Sequence, residues 1–232
     1  MNIAIILSGG TGTRLGYKIP KQYIEVNNKP IIQHCIETFQ NNAKTDRIVI
    51  VAATEWQAYI DEIIKRENIT KFFSFAEAGS SRQHSIVNGL EVIHKANFHE
   101  KVNVIIHDAA RPNLTHEMID KCYDGLLEAD GVMPVLPVKD TMYLSEDGKT
   151  ITSLLNRDQL FGGQAPESFV FDKYYQIHAG MTEQELSLVR GSSEIAYKNG
   201  LKMLLITGDE HNYKITTESD LEKFRMEIGE LK

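Results

Sequence analysis

Asn2-Ile3-Ala4-Ile5-Ile6-Leu7-Ser8-Gly9-Gly10-Thr11-Gly12-Thr13-Arg14, followed closely by Pro20-Lys21-Gln22, is the stretch that decides the architecture. Residues 2–7 are short, apolar and rich in branched side chains, as a strand buried on both faces of a parallel sheet must be. The glycines behind it strip side chains from the turn, so backbone N–H groups can approach phosphate oxygens, while Arg14 and Lys21 bring fixed positive charge. That combination suits a polyphosphate, and it sits at a strand's carboxyl end, where open α/β sheets bind ligands. Two better-known glycine signatures fail on the same residues. The dinucleotide pattern G-x-G-x-x-G finds Gly10 and Gly12 but then Leu15, and the P-loop pattern counted from Gly9 reaches Arg14 with no Lys-Ser or Lys-Thr pair behind it.

Working outward, 232 residues with 42% hydrophobic and 25% charged content suit one sizeable α/β domain spanning 1–232. The net charge of -7 argues against a general nucleic-acid or anionic-membrane surface, which needs clustered cations to displace counterions. Cys35 and Cys122 stand far apart with no C-x-x-C, so they read as buried thiols in a reducing cytoplasm rather than as a disulfide or zinc site. No apolar run is long enough to span a bilayer, and the N-terminus enters a strand without a basic leader, so a cytoplasmic protein is expected.

Strand-like runs at 47–53, 72–76, 103–107, 131–138 and 202–206 alternate with helical patterns over 30–39, 55–66, 82–94, 115–128 and 218–230. Thr54, Ser81, Thr115 and Thr217 stand where N-caps belong. The alternation predicts a three-layer α/β domain, its mainly parallel sheet covered on both faces. One segment breaks the rhythm. Residues 138–155 read as two extended pieces around Ser145-Glu146-Asp147-Gly148, whose Asp-Gly favours a tight turn, and so predict a projecting β-hairpin arm. A lone hairpin is marginal in water, so a second copy packing on it, in a homodimer, is expected.

Four further clusters fall at or beyond predicted strand ends. Gly79-Ser80-Ser81-Arg82-Gln83-His84-Ser85 offers a glycine, hydroxyls and a helix N-terminus suited to base, ribose or anion. In His107-Asp108-Ala109-Ala110-Arg111-Pro112, Asp108 suits Mg²⁺ or a hydroxyl and Arg111 suits phosphate, although an Asp-Arg pair at a strand end also reads as a structural ion pair. His107, inside the strand, reads as a core residue. Lys139-Asp140-Thr141 and Asn156-Arg157-Asp158 lie at the two feet of the arm, and Asn212-Tyr213-Lys214-Ile215-Thr216 precedes the last helix. None of the eight histidines has a partner at metal-ligand spacing, and there is no G-x-S-x-G elbow for acyl transfer.

Taken in order, GGTGTR at 9–14, PKQY at 20–23, the 79–85 cluster, HDAARP at 107–112, VKDT at 138–141 and NYKIT at 212–216 make the chain resemble the cytidylyltransferases that activate small polyol phosphates, among them the methylerythritol-phosphate and ribitol-phosphate enzymes. The resemblance runs along nearly the whole chain. It implies a Rossmann-like domain of the nucleotide-diphospho-sugar transferase type and transfer of CMP from CTP to a polyol phosphate, with Mg²⁺ bridging phosphates. By the same resemblance Arg14 and Lys21 are catalytic. Leu7, Ser8, Gly9, Gly10, Thr11, Gly12, Gly79, Ser80, Ser81, Arg82, Ser85, Asp108 and Ala109 surround the nucleotide, with Asp108 also beside the metal. Arg111, Thr141, Arg157 and Lys214 position the acceptor, some of them across a dimer.

The resemblance breaks at one place. Where the family carries a Thr-Asp pair upstream of a late glycine, this chain reads Arg190-Gly191 before Gly200, and losing a carboxylate while gaining a cation alters hydroxyl recognition. The wording of residues 161–169 and the spacing from Met181-Thr182 to Ile195 are more like the ribitol-phosphate branch, which is preferred. The methylerythritol-phosphate enzyme is the runner-up. A CTP-binding regulator without turnover is a rival of a different class, and a sugar-1-phosphate nucleotidyltransferase fits the arm poorly.

Overall fold

Residues 1–10, 16–17 and 19–230 are described in a computed structural model of the protein. In chain order the elements are β1 (Asn2–Leu7), a small hairpin of β2 (Glu25–Val26) and β3 (Lys29–Pro30), α1 (Ile31–Asn41), β4 (Arg47–Ala52), α2 (Thr54–Arg66), β5 (Phe72–Glu77) and α3 (Arg82–Ala96). Then come β6 (Asn103–Asp108), α4 (His116–Gly125), β7 (Gly131–Pro137), the arm strands β8 (Met142–Leu144) and β9 (Ser153–Leu155), β10 (Phe161–Gly163) and β11 (Glu167–Val170). Helices α5 (Phe171–Ala179), α6 (Glu183–Leu188) and α7 (Ser192–Lys198), strand β12 (Met203–Thr207) and helix α8 (Glu218–Glu227) complete the chain.

The described strands build an eight-stranded sheet ordered β10-β7-β11-β6-β1-β4-β5, with β12 on β7. β1 is central, parallel to β4 and β6, so Leu7 lies beside Val51 on one side and Asp108 on the other. β5 extends the parallel set beyond β4, and β12 runs parallel to β7. The departure from an all-parallel sheet is local. β11 runs antiparallel between β6 and β7, and β10 continues antiparallel along β7.

Side chains alternate across a strand, and the core follows that parity. Ala4, Ile6, Ile48, Ile50 and Ile105 face α1, α2 and α4, whereas Ile3, Ile5, Val49, Val51 and Ile106 face α3, α5 and α7. On α3 the buried positions Ile86, Gly89, Leu90 and Ile93 recur at helical spacing. A Cβ on Gly89 would stand 2.9 Å from Ile5 Cγ2, so glycine lets α3 lie close on β1 and brings its N-terminus to the rim of the sheet. A third cluster joins Ile24, Val26 and Ile31 to Ile215, Leu221 and Phe224 and carries the C-terminal segment back to that rim. Burying Ile215 completely stabilises this return by about 2 kcal/mol.

Ser81, Thr115 and Thr217 cap α3, α4 and α8 as expected, accepting from the N–H groups of His84, Met118 and Asp220; each is worth about 1 kcal/mol. Thr54 does not. It is the first residue of α2 after an Ala53 cap, and its hydroxyl is drawn instead to the Glu77 carboxylate.

β8 and β9 pair antiparallel and form the expected arm, with Met142 opposite Leu155 and Leu144 opposite Ser153. Its turn is wider than the tight one predicted. Asp147 Oδ1 accepts from both Lys149 N and Thr150 N at 2.8 Å, with Gly148 at φ +69°, so the side chain organises a loop over residues 145–152. Tyr143, Leu144, Ile151 and Leu154 on the arm are exposed. No described helix is long and apolar enough to cross a membrane.

Candidate active site

At the carboxyl ends of β1, β5 and β6 opens a cavity of about 590 Å³. Leu7, Gly9, Gly10, Gly79, Ser80, Ser81, Arg82, Ser85, Asp108 and Ala109, all expected around the nucleotide, line it, as does Lys21. Its glycines serve different ends. A Cβ on Gly9 would meet Ala78 Cβ at 2.5 Å, so glycine there lets two loops touch, and one on Gly79 would collide with His84 Cβ in the first turn of α3, so glycine there lets the chain turn tightly into the helix. At Gly10 a Cβ would meet nothing within 4 Å among the described residues, so the missing side chain leaves room for a ligand instead. The N-terminus of α3, a favourable place for an anion, opens on the same cavity.

The brace beneath this loop was not expected. Gln22 Nε2 donates to Ser8 O at 2.6 Å and to Gly10 O at 2.8 Å, while the Tyr23 and Ser8 hydroxyls lie 2.8 Å apart. Ser8, expected around the nucleotide, is buried beneath the loop and is not among the residues lining the cavity. Lys21 Nζ donates to Ile215 O at 2.6 Å, tying the loop to the C-terminal return. Thr11, Gly12 and Arg14 lie outside the described residues.

Asp108 is the electrostatic centre. Its Oδ1 accepts from Arg82 Nε at 3.1 Å, its Oδ2 from Lys214 Nζ at 2.9 Å, and Arg111 Nε lies 3.7 Å from Oδ2. Burial alone would raise the carboxyl pKa, but the Arg82, Lys214 and Arg111 charges overcome it and hold the group well below the usual carboxylate range. Arg82 is fixed on three sides, since Nη1 also donates to Ser192 Oγ at 2.7 Å and Nη2 lies 3.5 Å from Glu167 Oε1. Glu167 in turn accepts from Ser193 N through Oε2 at 2.8 Å.

His107 is fully buried and pushed down to about 4 by that burial. Its Nε2 lies 3.0 Å from Arg111 O, which can only accept, so Nε2 carries the proton and the neutral ring pins the 108–111 turn from below. From above, Ile215 N donates to Ala110 O at 2.8 Å, and Arg111 Nη1 donates to Asn212 O at 2.7 Å. The 212–216 segment and the β6 turn are thus tied together by two hydrogen bonds.

A second cavity, of about 570 Å³, adjoins the first. Arg82, Asp108 and Lys214 line both, so one row of charges separates them. Arg111 opens into the second, as do Glu167, Arg190, Gly191 and Ser193. Two expected acceptor residues are not there. Thr141 and Arg157 lie exposed at the feet of the arm, where Arg157 Nη1 donates to Lys139 O at 2.8 Å, and neither lines either cavity. Glu167, Ser192 and Ser193 were missed, because their link to Arg82 joins stretches far apart in the chain; Gln22, beside Lys21 in the PKQY motif, was within reach of the sequence.

Among the described residues no three His, Cys, Asp or Glu side chains converge as a metal site. Among the described residues lining the first cavity Asp108 is the one carboxylate, with Oδ1 hydrogen-bonded to Arg82. That leaves a lone pair, and Mg²⁺ is commonly held by one or two carboxylates with phosphates and water supplying the rest, so the donor set fits an ion that arrives with a polyphosphate.

The sequence and the fold match known proteins. Residues 2–228 fit the family model described as IspD, 2-C-methyl-D-erythritol 4-phosphate cytidylyltransferase. A ribitol-5-phosphate cytidylyltransferase of Streptococcus agalactiae serotype Ia is 31% identical over 226 residues, 97% of this chain and 94% of that protein. A 2-C-methyl-D-erythritol 4-phosphate cytidylyltransferase of Clostridium tetani is 34% identical over 227 residues, 95% of this chain and 87% of that one. Among solved structures, the 4-diphosphocytidyl-2C-methyl-D-erythritol synthase of Anaerococcus prevotii shares the fold, with TM-score 0.83 and 23% identity over 98% of this chain and 96% of its own.

Proposed function

The chain belongs to the IspD family of 2-C-methyl-D-erythritol 4-phosphate cytidylyltransferases, and from that premise we propose that it transfers CMP from CTP to a polyol phosphate, releasing pyrophosphate. The acceptor put forward is ribitol 5-phosphate. What carries the reading is the shared wall of Arg82, Asp108 and Lys214, across which two phosphorylated ligands would meet.

With CTP in the first cavity and the acceptor in the second, an oxygen of the acceptor phosphate attacks the α-phosphorus. The bond from that phosphorus to the oxygen bridging to the β-phosphate breaks, and its electron pair leaves with pyrophosphate. The nucleophile is already anionic, so no general base is needed. This agrees with a His107 whose proton is committed to Arg111 O. Catalysis is then positioning and charge neutralisation. Lys21, together with Arg14, neutralises charge gathering on the α-phosphate and leaving group, and Lys214 and Arg111 hold the acceptor phosphate. Mg²⁺ held by Asp108 and the phosphates would neutralise further charge on the triphosphate.

Thr141 and Arg157 reach an acceptor only if the arm of one copy lies over the second cavity of another. The exposed Tyr143, Leu144, Ile151 and Leu154 favour such a homodimer built on residues 138–155. For ribitol 5-phosphate speak the Streptococcus agalactiae relative and the wording of residues 161–169. The Clostridium tetani relative favours 2-C-methyl-D-erythritol 4-phosphate as the second reading. Pyrophosphate release with CTP and each polyol phosphate in turn decides: turnover with ribitol 5-phosphate is expected, turnover with 2-C-methyl-D-erythritol 4-phosphate alone moves the assignment, and none with either overturns it.

A further inference from the structure

Reaching the α-phosphorus places the acceptor phosphate at the shared wall, so the remainder of the acceptor extends toward surfaces that belong to the second cavity alone. There Met133, Leu205 and Tyr197 offer apolar surface for a carbon chain. Apart from Arg111, which faces Asp108, the charged side chains lining this part are Glu167, Glu194 and Arg190. Both carboxylates are engaged, Glu167 by Arg82 and Ser193 and Glu194 by Lys198 and the backbone N–H of Arg190. The bond from Arg190 N to Glu194 Oε2, 2.9 Å long, fixes the backbone of Arg190 at the rim. Beside it Gly191 leaves the wall open, since a Cβ there would meet nothing within 4 Å among the described residues. Among the described residues the Arg190 guanidinium has no ion-pair or hydrogen-bond partner, unlike those of Arg82 and Arg111.

We propose that Arg190 is a specificity-determining residue, its guanidinium reading two adjacent hydroxyls at the end of the acceptor remote from the phosphate. This rests on the reading of the chain as a polyol-phosphate cytidylyltransferase. A guanidinium presents a planar fork of N–H donors that pairs with two neighbouring oxygens, is weakly hydrated, and pairs without reorganising a second charge. A vicinal diol at the end of a linear polyol supplies those oxygens while its carbons lie on the apolar surface. The substrate class is thereby narrowed to polyol phosphates with free hydroxyls at the two carbons farthest from phosphorus.

The test is a cycle between residue and ligand. Whichever of ribitol 5-phosphate or 2-C-methyl-D-erythritol 4-phosphate turns over is compared with its own 1-deoxy analogue, in the unsubstituted protein, Arg190→Ala and Arg190→Lys, by kcat/KM for pyrophosphate release. The unsubstituted protein should prefer the full polyol by about tenfold, as expected for a hydrogen bond to a charged group, and Arg190→Ala should erase that preference. Arg190→Lys, which keeps the charge but loses the fork, should restore only part of it. An undiminished preference in Arg190→Ala, or equal losses on both ligands, overturns the proposal. Absence of pyrophosphate from the unsubstituted protein with either polyol phosphate sinks the underlying reading and this proposal with it.

Discussion

The first cavity and the projecting arm show opposite degrees of completion in a single chain. Around the cavity the described side chains hold one another: Gln22 braces Ser8 and Gly10, Arg82 is held on three sides, and Asp108 is surrounded by cations. Along the arm the apolar side chains are exposed, and Thr141 and Arg157 touch neither cavity. The contrast teaches that the cavity proposed for CTP is preorganised by contacts within one chain, whereas of the residues proposed for the acceptor Arg111 and Lys214 line the second cavity and Thr141 and Arg157 stand elsewhere.

The largest effect is expected at Lys21. If the first cavity preorganises charge for the transition state, Lys21→Ala lowers kcat by about two to three orders of magnitude while CTP affinity changes far less. A raised KM with kcat preserved would make Lys21 a binding residue only.

Asp108→Asn removes the carboxylate from among Arg82, Lys214 and Arg111 and should cost about 3–5 kcal/mol in urea unfolding, besides activity. It should also change the acid limb of stability. The folded Asp108 carboxyl is held below its unfolded value of about 3.9, so the unfolded chain binds the proton first as pH falls. The stabilisation is therefore whole above about pH 4 and fades on further acidification, a slope the variant should lack. Equal acid slopes would show the ion cluster to be energetically idle.

Paired glycine variants divide packing from binding. Gly79→Ala should cost about 1–3 kcal/mol through the His84 clash, whereas Gly10→Ala should unfold at the unsubstituted midpoint yet bind CTP more weakly in calorimetry. On the arm the change in stability is also expected to be small. Leu144→Asp with Leu154→Asp should alter unfolding by no more than about 0.5 kcal/mol, convert a sedimenting dimer to monomer, and leave CTP binding unaffected. A monomer before substitution would remove the arm from any role between copies.

Much of the comparison was legible in the sequence, and for unequal reasons. The parallel strands were readable because burial on both faces imposes continuous apolar runs such as residues 2–7 and 103–107, and the cavity lining followed because each loop comes directly after such a run. β10 and β11 escaped because Phe161-Gly162-Gly163 and Glu167-Ser168-Phe169-Val170 are short and separated by a proline, with too little alternation to register. Thr54 misled because a hydroxyl before a helical pattern looks the same whether it caps the helix or reaches a distant carboxylate such as Glu77. That Ser8 is buried was not legible, because the resemblance places residues 7–10 as one loop and carries no information about the hydrogen bonds from Tyr23 and Gln22 that hold Ser8 beneath it. The Glu167–Arg82–Ser192 links depend on three separate segments meeting, and no local pattern encodes that.

The central claim is that one chain forms a triphosphate site at the rim of its sheet, and a crystal grown with CTP and magnesium tests it most directly. The account predicts density for the triphosphate in the first cavity, between Gly10, the N-terminus of α3 and Lys21, with the ribose beside Asp108 and Ala109. Nucleotide density elsewhere on the molecule, with that cavity holding only solvent at saturating CTP, would contradict it.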